Sequence, residues 1–134
     1  MGSRVLSTNA TGGGQALLDG SEFGFWCAAP QTSPFGAGTV VLAYAVMTGD
    51  ADAALALPPT LLSAATARFV LSAPGADLQS DVVLLNDAPL ALGAGGKLLA
   101  YPIAGRAVPG GQAVVLPRQS YGFVAFDAQV AACA

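Results

Sequence analysis

The chain contains no histidine. That absence removes the general base of Ser-His-Asp and Cys-His catalysis and the commonest metal ligand. Glutamate occurs once, as Glu22, beside seven aspartates among 134 residues. Charge of either sign is scarce, at 10% of residues, against roughly 25% in an average soluble domain. The five cations (Arg4, Arg68, Lys97, Arg106 and Arg118) stand singly, and the net charge is −3. Nucleic-acid binding needs clustered cations that displace counterions from phosphates, so that class is excluded. The same scatter predicts weak or no binding to heparin by this domain alone, because sulfated glycans are held by clusters of Lys and Arg. Long hydrophobic runs are missing too. The longest apolar stretches lie within residues 40–47 and 52–57, and Pro58, Pro59 and Arg68 break up the residues beyond them. Neither approaches the ~20 residues of a spanning helix, so no transmembrane segment is expected.

Apolar residues are abundant, at 54% of the chain. The length suits one domain, residues 1–134, with a modest core. A core of that size does not absorb so much apolar area. Part of it is expected to form a surface covered by another protein. Two cysteines, Cys27 and Cys133, lie at opposite ends of the chain. Two ligands so far apart, with no histidine to join them, do not make a zinc site. Two readings stand: a pair of buried free thiols, or a disulfide formed in an oxidising compartment. In the chain-entropy picture a bond closing so long a loop stabilises by roughly 4–5 kcal/mol. Asn9-Ala10-Thr11 is a formal N-glycosylation sequon, which fits secretion. Met1-Gly2-Ser3-Arg4 opens no apolar signal stretch, and Leu6 stands where a myristoylation motif needs Ser or Thr. A secreted type of domain with no signal sequence is expected to be a piece of a longer protein.

Along the chain, strands are expected at residues 4–8 (RVLST), 21–28 (SEFGFWCA) and 38–47 (GTVVLAYAVM). In the second of these, Phe23, Phe25 and Cys27 share one face. The third is apolar on both faces and reads as central. Pro58-Pro59 forbids a continuous helix and suits an edge or a crossing between sheets. Residues 66–72 (TARFVLS) alternate as a strand does. Residues 81–85 form another, with 90–92 as its hairpin partner after Asn86-Asp87. Residues 97–111 read as irregular. Strands at 113–116 and 121–126, a turn near Asp127, and a last strand at 129–132 complete the set. No ten-residue stretch both lacks breakers and shows a 3.6 period. Short strands separated by turn signals point to an all-β antiparallel sandwich of about eight to ten strands.

Candidate chemistry is sparse. The aspartates fall mostly in expected turns, where Asp closes backbone. Asp50 and Asp52 form the one close pair, but Ala54 stands where a calcium loop needs its third oxygen. Glu22 reads as an edge charge at a strand start. Residues 93–97 (GAGGK) mimic a phosphate loop only superficially, since Leu98 replaces the required Ser or Thr; a hairpin turn is expected. Trp26 and Tyr121 offer rings that stack on sugars, but their place in alternating strands favours core packing. These residues supply no catalytic group, no cofactor site and no metal site.

A family resemblance lies in the C-terminal third. Residues 81–86 (DVVLLN), Val115-Leu116-Pro117, Ser120-Tyr121-Gly122-Phe123-Val124 and Ala131-Ala132-Cys133 follow one another in the order and spacing of the heparanase C-terminal domain. The chain thus resembles the accessory domain of glycoside hydrolase family 79. The likeness is good over residues 79–134 and fair over 4–71. It departs at Asp87, where the family places glycine. It implies that Cys133 pairs with Cys27, which follows Phe25-Trp26, and that the closing strand lies beside the strand containing Trp26.

The resemblance also implies a parent enzyme. It would be an endo-β-glucuronidase that hydrolyses heparan sulfate or other uronic-acid glycans with retention, in the extracellular space or the lysosome. The two glutamates of such a reaction would belong to a TIM barrel, and none of that barrel is in these residues. This chain would be inactive alone and would pack against the barrel, its expected partner. In the family the sandwich also receives a strand from the segment preceding the barrel, so one exposed sheet edge is expected here. Two other readings stand beside this one: an independent carbohydrate-binding module using Trp26 or Tyr121, and a structural subunit of a shell or coat.

Overall fold

A computed structural model describes residues 4–6, 21–27, 34–36, 38–47, 51–77, 79–97 and 104–133. Among the described residues, ten strands are distributed over two antiparallel sheets, one of eight strands and one of two. They are β1 (Arg4–Leu6), β2 (Ser21–Cys27), β3 (Thr39–Val46), β4 (Ala53–Leu55), β5 (Thr66–Ser72), β6 (Leu84–Leu85), β7 (Ala88–Pro89), β8 (Arg106–Val108), β9 (Val114–Leu116) and β10 (Ser120–Gln129). The large sheet runs β1-β2-β3-β10-β5-β6-β7, with β8 also paired to β5. β4 and β9 form the small sheet. The expected all-β antiparallel sandwich is therefore present, in a lopsided form.

β3 owes its central place to its composition. Val40, Leu42, Tyr44 and Val46 all point inward and are buried, while Val41, Ala43 and Ala45 point outward and are half-buried. β2 and β10 flank it. Phe25, Leu42, Val124 and Arg68 stand in one cross-strand row on the inner face. The small sheet covers that face with Ala53, Val114 and Leu116, and the short helix α1 (Pro59–Leu62) adds Leu61. Phe126, Leu42 and Leu116 are the largest fully buried side chains and mark the middle of this core.

Pro58-Pro59 indeed ends continuity, but the second proline also starts a helix turn. Pro59 sits at the first helical position, where its missing N–H is no loss. Leu61 and Leu62 N–H both donate to Pro58 O. The turn at Gly110-Gly111 docks on this helix, with Gly111 N–H donating to Leu62 O at 2.8 Å. Arg68 straps the two sheets together. Its Nη2 donates to Ala113 O at 3.3 Å, just before β9, and its Nε to Thr66 Oγ1 at 3.2 Å.

The C-terminal stretch departs from the sequence expectation. Instead of two strands with a turn near Asp127, one strand runs unbroken to Gln129. Between Ala125 and Gln129 the register against β3 shifts, four residues advancing along β10 while β3 advances only from Val41 to Thr39. This bulge replaces the turn, and Asp127 N–H stays bonded to Ala65 O at 2.8 Å beside β5. The expected last strand is a 3₁₀ turn, Ala131–Cys133.

The cysteines do meet. Cys27 and Cys133 form a disulfide with a Cα–Cα distance of 5.3 Å across 106 residues of sequence. However, β10 does not lie beside β2, as the resemblance implied. β3 runs between them, and the terminal turn crosses the start of β3 to reach Cys27. Gly38 marks the crossing: it has φ +76°, and an added Cβ would meet Cys133 O at 3.3 Å. Three further expectations shift. The strand at 81–85 shrinks to Leu84–Leu85, its hairpin partner is Ala88–Pro89, and the irregular 97–111 region contains β8.

Candidate functional site

Three of the described aspartates are spent on turns. Asp52 Oδ1 accepts from Arg118 N–H at 2.9 Å, Asp77 Oδ1 from Gln79 N–H at 2.9 Å, and Asp87 pairs with Arg106 at 2.8 Å. Each closes or ties a turn, and the structure brings no two of these carboxylates together. Asp19, Asp50 and the sequon at Asn9 lie outside the described residues, as does the side chain of Glu22. Among the described residues no three His, Cys, Asp or Glu side chains could hold a metal ion. In residues 93–97 the backbone folds onto itself, Gly93 N–H donating to Lys97 O and Gly96 N–H to Gly93 O. Those two donors are used in a turn and do not converge on a ligand.

Among the described residues one buried side-chain polar atom lacks a hydrogen bond within bonding geometry, the Tyr44 hydroxyl, although it feels Ser120 and Arg68 electrostatically. The Ser120 hydroxyl donates to Pro117 O. Burial pushes the phenol above its ordinary range, and the Ser120 hydroxyl and the Arg68 charge offset this only in part. Burial also lowers the pKa of Arg68, against the pull of Tyr44. Arg68 serves the seam between the sheets through its bond to Ala113 O.

The outward face of the large sheet is different. Strand alternation puts Gly24, Ala43, Phe123 and Phe69 in one cross-strand row, with Trp26, Val41, Ala125 and Ala67 in the next. A third row contains Glu22, Ala45, Tyr121 and Leu71, so one carboxylate residue stands at the β2 end of this face. Every described side chain in these rows is apolar except for the Tyr121 hydroxyl. Two rings lie flat over glycines: an added Cβ on Gly24 would meet the Trp26 indole at 2.7 Å, and one on Gly105 the Phe69 ring at 2.7 Å. Such aromatic-over-glycine packing shields backbone that would otherwise be bare.

In the middle of this face β3 contributes Val41, Ala43 and Ala45, the two alanines being its smallest side chains. Trp26 borders it on one side, and Tyr121 and Phe123 on the other. Tyr121 is 48% exposed and Phe123 40% exposed. The expectation that Tyr121 packs in the core is thus overturned. Its alternation with buried Ser120 and Gly122 turns it to the outer face, which nothing described covers. Trp26 is half-buried and also outside the core cluster. Other exposed large apolar residues, such as Met47, Leu62, Leu92 and Val115, belong to separate elements and form no comparable face. The apolar composition signalled a covered surface, but which face it would be depended on the strand order, and that was not readable.

No protein-family model matches the chain, and no curated protein matches it.

Proposed function

We propose that this chain is a non-catalytic β-sandwich that packs against and stabilises the catalytic barrel of a heparanase-like endo-β-glucuronidase. The observation that carries the reading is the Cys27–Cys133 disulfide. It joins the strand containing Phe25-Trp26 to the residue next to the chain's last, the pairing that the resemblance implies. The exposed apolar face around Phe123 favours the supporting role, since large exposed apolar patches mark surfaces that another protein covers. Retaining glycoside hydrolysis needs two carboxyl groups about 5 Å apart, and in this reading the parent enzyme's barrel supplies them. The bond to Cys133 also fits an oxidising compartment, the secretory route or the lysosome, for the parent enzyme. The small sheet offers a place for the extra strand, because β4 and β9 each have one unpaired edge among the described residues.

The test is co-expression with the barrel of a heparanase-like hydrolase as a separate chain. A stable 1:1 complex by size-exclusion chromatography with light scattering is the expected result. A monodisperse monomer that ignores the barrel overturns the reading.

A further inference from the structure

The boundary between β3 and β10 divides the outward face of the large sheet into halves that complement each other. The register sets Tyr121 opposite Ala45, Phe123 opposite Ala43 and Ala125 opposite Val41. Each pair places a large residue beside a small one. In the first two the large residue is on β10, and in the third it is on β3. One strand further out the third row keeps its sense, with Trp26 on β2 and Ala67 on β5. Tyr121 and Phe123 stand exposed, while the alanines beside them are half-buried.

A two-fold axis along that boundary, parallel to the strands, exchanges the halves. It lays β10 of one copy over β3 of the other and keeps each row at its own height. Phe123 then lies over Ala43 of the second copy, Tyr121 over Ala45 and Val41 over Ala125, and every contact occurs twice, as in any isologous pair. Large residues meet small ones in all three rows, the condition for two sheets ~10 Å apart to interdigitate. Glu22 shares the row of Ala45 and Tyr121 but stands at its β2 end, beyond the described reach of β1. That position is the rim, where interfaces are polar. The axis holds the two Glu22 residues about three strand spacings apart, ~14 Å, which exceeds the ~8 Å screening length of physiological salt.

Size sets the strength. Val5 and Ala107 extend the Trp26 row onto β1 and β8, and Leu85 and Ala88 extend the Tyr121 row onto β6 and β7. Strands ~4.8 Å apart, with rows spanning about six residues at ~3.3 Å each, give a footprint of roughly 500 Å² per copy. The total of about 1,000 Å² is the lower limit for specific association and lies within the range of weak complexes.

From this we infer that the outward face of the large sheet pairs with its own copy, Phe123 and Tyr121 of each chain seating on Ala43 and Ala45 of the other in a weak, two-fold dimer. The pairing needs no barrel and so does not rest on the barrel-supporting reading. Where a barrel covers the same face, it competes with the second copy.

The experiment is sedimentation equilibrium of the whole 134-residue chain from micromolar to sub-millimolar concentration, with the Cys27–Cys133 bond intact. Phe123→Ala, Ala43→Phe, the double swap Ala43→Phe/Phe123→Ala and, on the small sheet, Val115→Ser are compared with it. Near-ultraviolet circular dichroism first checks that each is folded. The unaltered chain is expected to show a concentration-dependent monomer–dimer equilibrium. Each single change on the face should weaken the dimer roughly ten-fold or more, and Val115→Ser should leave it unchanged. The double swap exchanges large for small within one pair, so it should bring the dimer back to within a few-fold of the original. The swap at the neighbouring pair, Ala45→Tyr/Tyr121→Ala, keeps the test decisive if Ala43→Phe does not fold. A chain that stays monomeric throughout, or a dimer indifferent to Phe123→Ala, overturns the inference. A dimer lost in both single variants and not regained in either swap overturns the two-fold axis between β3 and β10.

Discussion

The Asn86 side chain stands in for a missing piece of β-strand beside Val70. Its Oδ1 accepts from Val70 N–H at 3.0 Å and its Nδ2 donates to Arg68 O at 3.0 Å. β8 pairs with β5 from Thr66 to Arg68 and β6 pairs with it at Leu71 and Ser72. The amide fills the gap between those two short strands. Asn86 also opens the β6–β7 turn, where it and Asp87 both have positive φ, at 50° and 69°. Two such residues make a type I′ turn, which asparagine tolerates better than most residues. Arg106 Nη2 then binds both Asn86 O and Asp87 Oδ2, tying β8 to the turn.

Asn86→Ala is therefore expected to destabilise by about 1–3 kcal/mol, since it strands a half-buried N–H and C=O and removes an αL-tolerant residue. Asn86→Gly keeps the turn but not the amide, and should recover only part of the loss. Urea unfolding of the two variants checks this. Equal stability of Asn86→Gly and the unaltered chain would show the amide bonds to be dispensable.

Breaking the disulfide should have a larger effect. Closing 106 residues of chain restricts the unfolded state by roughly 4–5 kcal/mol in the chain-entropy model. Small domains have net stabilities of only about 5–15 kcal/mol, so a Cys27→Ser/Cys133→Ser variant is expected to be marginal. Hydrogen exchange should quicken first in the terminal 3₁₀ turn and in β1 and β2, which the bond anchors. β3, β10 and β5 should stay protected longest. Uniform loss of protection across all of these strands would contradict a local staple.

The alkaline arm of stability should belong to Tyr44. Its folded-state pKa is raised by burial, so the folded chain holds the phenolic proton more tightly than the unfolded chain does. The resulting stability is complete below the unfolded value, about pH 10, and is lost as pH rises through the higher folded value. Tyr44→Phe removes this dependence. It also removes a buried hydroxyl without a partner, so at pH 7 it should be neutral or stabilising by up to about 1 kcal/mol. Thermal melts from pH 7 to 11 on both chains test the sign. A steeper alkaline loss in Tyr44→Phe would refute it.

Much of the fold was legible because strand alternation is a local property. Residues 66–72 read as a strand from their alternation alone, and β3 was recognisable as central from apolar residues on both faces. Pairings between distant segments carried no local mark. β8 hides among Pro102, Pro109 and Gly110-Gly111, and its three residues are strand only because β5 offers them an edge. The bulge near Asp127 looked like a turn, because a bulge and a turn use similar residues. Tyr121 looked like core because alternation shows that two faces differ but not which one is covered. The exposed apolar face was legible only as an excess of apolar composition.

Sulfated glycans should find no grip on this surface. Arg106 is engaged by Asp87 and by Asn86 O. Arg68 is half-buried and strapped to Ala113 O. Lys97 stands in the 93–97 turn, and the net charge is −3. Sulfate recognition needs several cations converging on one strip of surface, and these belong to separate elements. The chain should leave a heparin column at low salt. Releasing Arg106 with Asp87→Asn should not move that elution appreciably, because one cation adds only about one phosphate-like contact to the salt dependence. Retention at high salt, or a large shift in Asp87→Asn, would show that a basic surface forms after all and that this domain itself takes part in gripping the glycan.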